Sequence, residues 1–188
     1  TQKLLGKTCG INNKNKEKLL KNHIVMGLAT RNDSKAVAFV DQQSKCRFNN
    51  STMLASYEQI FDYYIDFKQI TNADKIYRER LSAYTKNLYR KSEYVGKLAK
   101  LSREQGNSSR YNNELNYIYR RVKNKKKLAI ETIDEVALAE VADVERAVNS
   151  FNAIELSFPE NKFNNTMKGK FARLESIQNQ VTKIVAMG

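Results

Sequence analysis

Apolar residues recur at intervals of three and four along most of this chain, and proline is absent until Pro159. Because an α-helix has about 3.6 residues per turn, this spacing places the apolar side chains on one face of a helix. Four such stripes follow one another, at 53–67, 77–98, 130–151 and 167–184. They predict long helices that pack against one another through their apolar faces.

The composition supports an all-α fold. The chain has 188 residues, of which 41% are hydrophobic and 28% charged, as is typical of a folded domain. One proline and seven glycines are few for an all-β protein, whose many turns need both residues. No apolar run approaches the ~20 residues that a membrane-spanning helix requires.

Residues 1–50 are predicted to form a small, irregular N-terminal segment with short helices. The polar stretch 12–18 is interpreted as a loop or frayed helix start, and a short helix is expected from Leu19 to Ala29. The apolar run 36–40 fits either a strand or a helical turn. Helix is favoured there, because Asp33 and Ser34 are good N-cap residues.

Residues 51–188 are predicted to form the main bundle. Its first helix, capped by Ser51 or Thr52, is expected to run to about Ile70, and a longer one from Ala73 to Gln105.

Two acid-before-base pairs at i,i+4 spacing, Asp74 with Arg78 and Glu93 with Lys97, support the longer helix. Gly96 lies inside it, where glycine costs up to ~1 kcal/mol relative to alanine. A kink or a close helix contact is therefore expected at Gly96.

The stretch 106–109 is the clearest turn in the sequence. Gly106 can adopt the left-handed C-cap conformation, and the serines that follow can cap the next helix. So short a link makes the flanking helices antiparallel, which predicts a long hairpin. Its second helix is expected from Ser109 to Ser157, with an interruption of the apolar stripe at 123–127.

Pro159 ends that helix in the prediction, since proline disfavours helix in the residue before it. A last amphipathic helix is expected from Thr166 to Ala186. The sequence therefore predicts an antiparallel bundle of about four principal helices.

Positive charge is unevenly distributed. The net charge is +13, and residues 74–127 alone contribute +11, whereas residues 128–160 carry −7. In the favoured interpretation, the acidic helix packs beside basic helices, and complementary charge determines its neighbours. In the alternative, the basic stretch binds a polyanion such as nucleic acid or anionic lipid.

Tyrosines alternate with the basic residues between 84 and 121, as on surfaces that bind single-stranded nucleic acid. Tyr84 and Tyr119 fall on the apolar stripes, so packing is their expected role. The candidate surface for a polyanion or a partner protein therefore consists of residues that lie off the stripe: Tyr117, Arg120, Arg121, Lys123, Lys125, Lys126 and Lys127.

The sequence contains no pattern typical of catalysis or of metal or cofactor binding. His23 is the only histidine, and it is expected to be partly buried rather than to act as a base. The two cysteines, Cys9 and Cys46, lack metal-ligand spacing. They could form a disulfide if the protein is exported, or remain free thiols in a reducing cytosol.

The chain begins at Thr1 without an initiator methionine, so it is expected to be a processed protein or part of a longer one. The leading hypothesis is a non-enzymatic interaction or scaffold module, exported to a periplasmic or other envelope compartment, that binds a protein partner. One alternative is a nucleic-acid-binding protein, in the cytoplasm, that acts through residues 110–127. Another is the extracytoplasmic sensor bundle of a membrane receptor.

Overall fold

The computed structural model describes residues 13–43, 48–107, 109–156 and 160–187. Helix accounts for 84% of the structure and no strand occurs in those ranges, which confirms the all-α prediction. The principal helices are α1 (Asn13–Ala29), α2 (Asp33–Gln43), α3 (Asn50–Asp66), α4 (Ile70–Ile76), α5 (Leu88–Glu104), α6 (Ser109–Arg121), α7 (Ile130–Asn152) and α8 (Glu160–Val185).

The N-terminal segment is more helical than the sequence indicates. Helix α1 already begins at Asn13, inside the stretch expected to be a loop, and the ambiguous run 36–40 lies within α2 as predicted. Side chains of both helices, among them Leu20 and Phe39, belong to the main core cluster. Cys9 and Cys46 lie outside the described residues, so the disulfide remains a prediction.

Helix α3 begins two to three residues earlier than expected from a cap at Ser51 or Thr52, and it ends earlier as well. Asn49 is the N-cap residue, because its side-chain oxygen accepts a hydrogen bond from the Thr52 amide at 2.7 Å. The helix ends at Asp66 rather than near Ile70, and Lys68 adopts a positive φ of 55°. The left-handed residue turns the chain into α4.

The prediction of a single helix over 73–105 is wrong. Helix α4 continues through a π-helical stretch, Tyr77–Leu81, and a last turn at Ser82–Tyr84. Thr85 is extended, and a new helix starts after Asn87, whose side chain accepts from the Tyr89 amide at 2.8 Å. After the break α5 runs along α3, where Arg90 pairs with Glu58 and Lys97 with Asp62.

The predicted turn after α5 is confirmed, and its hydrogen bonds are those of a Schellman motif. Gly106 has a φ of 75°, and its amide donates to the Arg103 carbonyl at 2.9 Å. The Asn107 amide donates to the Ser102 carbonyl at 2.8 Å. These are the two backbone bonds that satisfy the last carbonyls of a helix.

The helix expected from Ser109 to Ser157 is also divided. Helix α6 ends at Arg121, the 3₁₀ turn Lys125–Lys127 follows, and α7 begins at Ile130. Asn124 starts the turn by accepting from the Lys126 amide at 3.1 Å. The interruption of the apolar stripe at 123–127 therefore marks a helix break.

The C-terminal helix is longer than predicted. Helix α8 begins at Glu160, six residues before Thr166, and ends at Val185. Helix α7 ends at Asn152, ahead of the expected Ser157. Pro159 itself lies outside the described residues.

The core cluster draws on α1 to α6, and α3 and α5 contribute the most residues to it. It is rich in tyrosine: Tyr57, Tyr77, Tyr94 and Tyr111 are buried. The hydroxyl groups of Tyr57, Tyr77 and Tyr94 donate to carboxylates at the edge of the core, as that of Tyr57 does to Asp41 at 2.6 Å. Burial and the neighbouring carboxylates raise the pKa of these three phenols, so they stay protonated donors.

Helix α7 docks on α5 through its N-terminal half only. Thr132 donates to the Ser92 carbonyl at 2.5 Å, and the Ala129 amide donates to the Ser92 hydroxyl at 3.1 Å. Thr132, Glu135 and Val136 are the buried residues of α7. Beyond them α7 packs against α8, which has one buried apolar residue, Ile177, in its described part.

Candidate interaction surfaces

The aromatic part of the predicted polyanion surface is exposed at the C-terminal end of α6. Tyr117 retains 49% of its surface, and the Arg121 guanidinium lies 4.5 Å from the centre of its ring. Together with Arg120, Asn113 and Asn116 these side chains line a groove of about 350 Å³. The groove combines a stacking platform with two cations.

The lysines that follow α6 do not all face solvent. Lys123, Lys126 and Lys127 are exposed, but Lys125 turns inward. Its ammonium lies 4.0 Å from the centre of the Tyr119 ring and donates to the Tyr119 carbonyl. Burial lowers the pKa of Lys125. Lys125 therefore caps α6, and the exposed group, here called the basic patch, consists of Tyr117, Arg120, Arg121, Lys123, Lys126 and Lys127.

Most other cations of residues 74–127 are paired within the protein. Ion pairs join α5, α6 and the π-helical stretch to carboxylates of neighbouring helices: Arg80 with Asp41, Arg90 with Glu58, Lys97 with Asp62, Arg103 with Glu135, and Arg110 with Asp74. The predicted pairs Asp74–Arg78 and Glu93–Lys97 form at 2.9 and 3.1 Å. Of the five pairs between helices, Arg103–Glu135 is the one that reaches the acidic helix α7, so the choice of its neighbours by charge stays a prediction.

The tyrosines between 84 and 121 are mostly committed to packing. Tyr94 and Tyr111 are buried, and Tyr84 and Tyr119 pack against the core, as expected for the last two. Tyr89 remains 48% exposed, like Tyr117.

His23 is half-buried on α1, in line with the predicted partial burial. Its ring centre lies 3.9 Å from that of Phe39, and burial lowers its pKa. Within the described ranges, no group of three His, Cys, Asp or Glu side chains is placed to hold a metal ion. In the same part of the chain, no helix is both long and apolar enough to cross a membrane.

A groove of about 880 Å³ runs between α1 and α3. Polar residues are numerous in its lining, with Glu17, Lys21, Glu58 and Asp62 among them. Three of these side chains already have partners: Glu17 accepts from Thr52, Glu58 from Arg90 and Asp62 from Lys97. Of these bonds, Glu17–Thr52 joins α1 to α3 across the groove, whereas the other two join α3 to α5.

The hairpin formed by α7 and α8 exposes much of its apolar surface. Glu140 pairs with Lys183, Ser150 accepts from Arg173 at 2.8 Å, and the Ile154 carbonyl accepts from Lys170, so the two helices run antiparallel. Large apolar residues remain open on both helices: Ile130, Leu138, Val141, Val148, Phe171, Leu174, Val181 and Val185.

Most of these residues lie on one side of the hairpin. On α7, Val141 is about 180° around the helix from Thr132, which faces α5. On each helix, the exposed stripe lies about 100° around the helix axis from the line of contact with the other helix. The rotation is in the direction in which the helix winds from its N-terminus to its C-terminus. Antiparallel helices then present both stripes on the same side. This surface, here called the hairpin face, comprises Val141, Val144 and Val148 of α7 and Met167, Phe171, Leu174, Val181 and Val185 of α8.

From the sequence alone, the stripes of the hairpin face are expected to pack against other helices of the bundle. The period gives no sign of their exposure, because the buried stripe of α3, formed by Met53, Tyr57, Ile60 and Tyr64, has the same alternating steps of four and three. No known family model, characterised protein or solved structure matches the chain.

Proposed function

We propose that the protein is a non-enzymatic interaction module whose binding surface is the hairpin face. The observation that carries this proposal is the exposure of large apolar residues along both helices, with Phe171 at 62% and Val185 at 74%. Contiguous apolar surface of this size on a soluble domain typically marks an interaction site. An envelope location belongs to the same proposal.

Photo-crosslinking in the cells that make the protein tests this proposal. A photoreactive phenylalanine analogue replaces Leu174 on the hairpin face or, as a control, Met26 on α1, which is 61% exposed. We expect discrete macromolecular adducts from position 174 that Val181→Glu abolishes. Equal adduct patterns from both positions, or none from position 174, would contradict the proposal.

The basic patch supports a second candidate function, binding of single-stranded nucleic acid. The stacked pair Tyr117–Arg121 beside Arg120 is the observation that favours it. Only a few cations can contact phosphate there, so we expect weak binding that disappears near physiological salt. Binding of this kind loses about 0.7 log units per phosphate contact for each tenfold rise in salt.

Fluorescence anisotropy with labelled single-stranded DNA and RNA, from low to physiological salt, tests the second candidate. Reversing the charges of Arg120, Arg121, Lys123 and Lys126 should remove any binding, whereas reversing Lys75 and Lys86, which lie elsewhere on the chain, should preserve it. Submicromolar affinity at physiological salt that depends on the first four residues would make nucleic-acid binding the better proposal.

A further inference from the structure

We propose that the occupant of the hairpin face is a second copy of this chain, so that two hairpins pack face to face as an intermolecular four-helix bundle. This inference rests on the proposed function and specifies its partner. Three features favour a second copy as the partner: the period of the two stripes, the charges of α7 and α8, and the size of the face.

Both helices carry a heptad pattern on the open side. On α8, Met167, Phe171, Leu174, Gln178, Val181 and Val185 follow one another at steps of four and three. On α7, the series Ala137, Val141, Val144, Val148 and Phe151 has the same steps. A period of 3.5 residues keeps a narrow seam facing a partner helix over its whole length. Two seams that lie side by side on one face of a hairpin therefore fit a partner that offers two helices.

The charges of the two helices are complementary. Residues 128–160 carry −7, whereas residues 161–188 carry +4. When a twofold axis relates the two copies so that α7 of each packs on α8 of the other, unlike charges meet in both halves of the interface. Packing α7 on α7 would bring like charges together, at a cost that selects against it. The second copy thus satisfies both helices at once.

The size of the face is sufficient for a dimer. The longer of the two stripes runs from Met167 to Val185, about 27 Å, and two adjacent helices present a width of about 20 Å. The resulting footprint of about 540 Å² per copy, or about 1,080 Å² for the pair, clears the ~1,000 Å² expected of a specific interface.

Gln178 gives the interface a defined register. It is exposed and occupies a seam position between Leu174 and Val181. A single polar residue in a coiled-coil seam favours one register and oligomeric state at the expense of stability. We therefore expect Gln178→Leu to strengthen self-association.

Sedimentation velocity of the purified chain over a wide concentration range tests the proposal. We expect a reversible dimer. Phe171→Glu and Val181→Glu should each raise the dimer dissociation constant at least about 30-fold, as loss of a central apolar anchor does. Phe67→Glu is the matched control, because Phe67 is 59% exposed but lies at the end of α3. It should leave the dimer unchanged, and circular dichroism should show equal helix content in all variants.

Crosslinking identifies the arrangement. The photoreactive analogue at position 171 is irradiated in a mixture of unlabelled and ¹⁵N-labelled protein, and the crosslinked peptides are sequenced by mass spectrometry. We expect mixed-isotope crosslinks into residues 130–152. Crosslinks within one copy to residues 1–12, or between two α8 helices, would overturn the proposed packing.

A chain that stays monomeric at all concentrations would overturn self-association. If adducts from position 174 are then still found in cells, the interaction module stands with a different partner. If neither a dimer nor an adduct is found, both proposals fail.

Discussion

Gly96 on α5 lies directly against the backbone of Thr132 on α7. A Cβ atom at position 96 would be 2.7 Å from the Thr132 amide nitrogen and 2.7 Å from the Glu131 carbonyl carbon. Real carbon atoms do not approach a backbone so closely, so only glycine permits this helix crossing. The close contact expected from the sequence at Gly96 is confirmed, and it is the point where α7 joins the core.

Gly96→Ala should destabilise the protein by about 1–3 kcal/mol, because overpacking against a fixed backbone outweighs the ~1 kcal/mol gained in helix propensity. Urea unfolding followed by circular dichroism measures the difference. Gly169→Ala is the control, since no described atom lies within 4 Å of a Cβ there. It should be neutral or stabilising. A Gly96→Ala variant as stable as the wild type would contradict the close contact.

The ion pair between Arg103 and Glu135 should respond unequally to loss of its two members. Both carboxylate oxygens of Glu135 accept from the guanidinium at 2.9 Å, and Glu135 is buried whereas Arg103 is 43% exposed. Arg103→Ala leaves a buried carboxylate without this partner and should cost about 3 kcal/mol. Glu135→Gln leaves a cation that water can reach and should cost about 1 kcal/mol. Equal costs in urea unfolding would refute the asymmetry.

Asp41 should make stability depend on acidity. Burial alone would raise its pKa, but hydrogen bonds from Arg80 at 2.8 and 2.9 Å and from Tyr57 at 2.6 Å outweigh burial and lower the pKa. A carboxyl with a lowered pKa in the folded state stabilises above its ordinary value and loses this effect as the pH falls through the lowered value.

Asp41→Asn should therefore reduce the free energy of unfolding near pH 7, by roughly 1 kcal/mol for a pair about one-third exposed. The difference from the wild type should shrink only below about pH 4, where an ordinary aspartate begins to protonate. Urea unfolding at several pH values checks this. A gap that closes already near pH 5–6 would show that another group controls the acid response.

Substitutions of Lys125 and of its neighbour Lys126 should have different effects on stability. Lys125 caps the Tyr119 carbonyl and lies over the Tyr119 ring, whereas Lys126 is exposed. Lys125→Met should destabilise by about 1 kcal/mol through loss of the cap and the cation–π contact. Lys126→Met should stay within ~0.5 kcal/mol of the wild type. Thermal unfolding of both variants checks the difference, and equal melting temperatures would remove the role of Lys125 as a cap.

The sequence contained enough local information for the helices themselves. The apolar period, the glycine at Gly106 and the i,i+4 pairs depend on residues a few positions apart, so they can be interpreted without knowing the fold. The helix break at Thr85–Asn87 is not predicted from the sequence. The break after Arg121 is predicted only as an interruption of the apolar stripe. Both depend on asparagine caps whose effect is small beside the packing that requires the chain to turn there.

Burial was decided by the tertiary structure. An amphipathic stripe shows that one face of a helix avoids water, but it does not show which element covers that face. Tyr57 and Phe171 both lie on stripes of the same kind, yet Tyr57 is 1% exposed and Phe171 62%. The sequence alone determined that this protein is a set of amphipathic helices. Their packing decided that α3 supplies the core while α7 and α8 leave a face open, because coverage depends on the spatial arrangement of residues far apart in the chain.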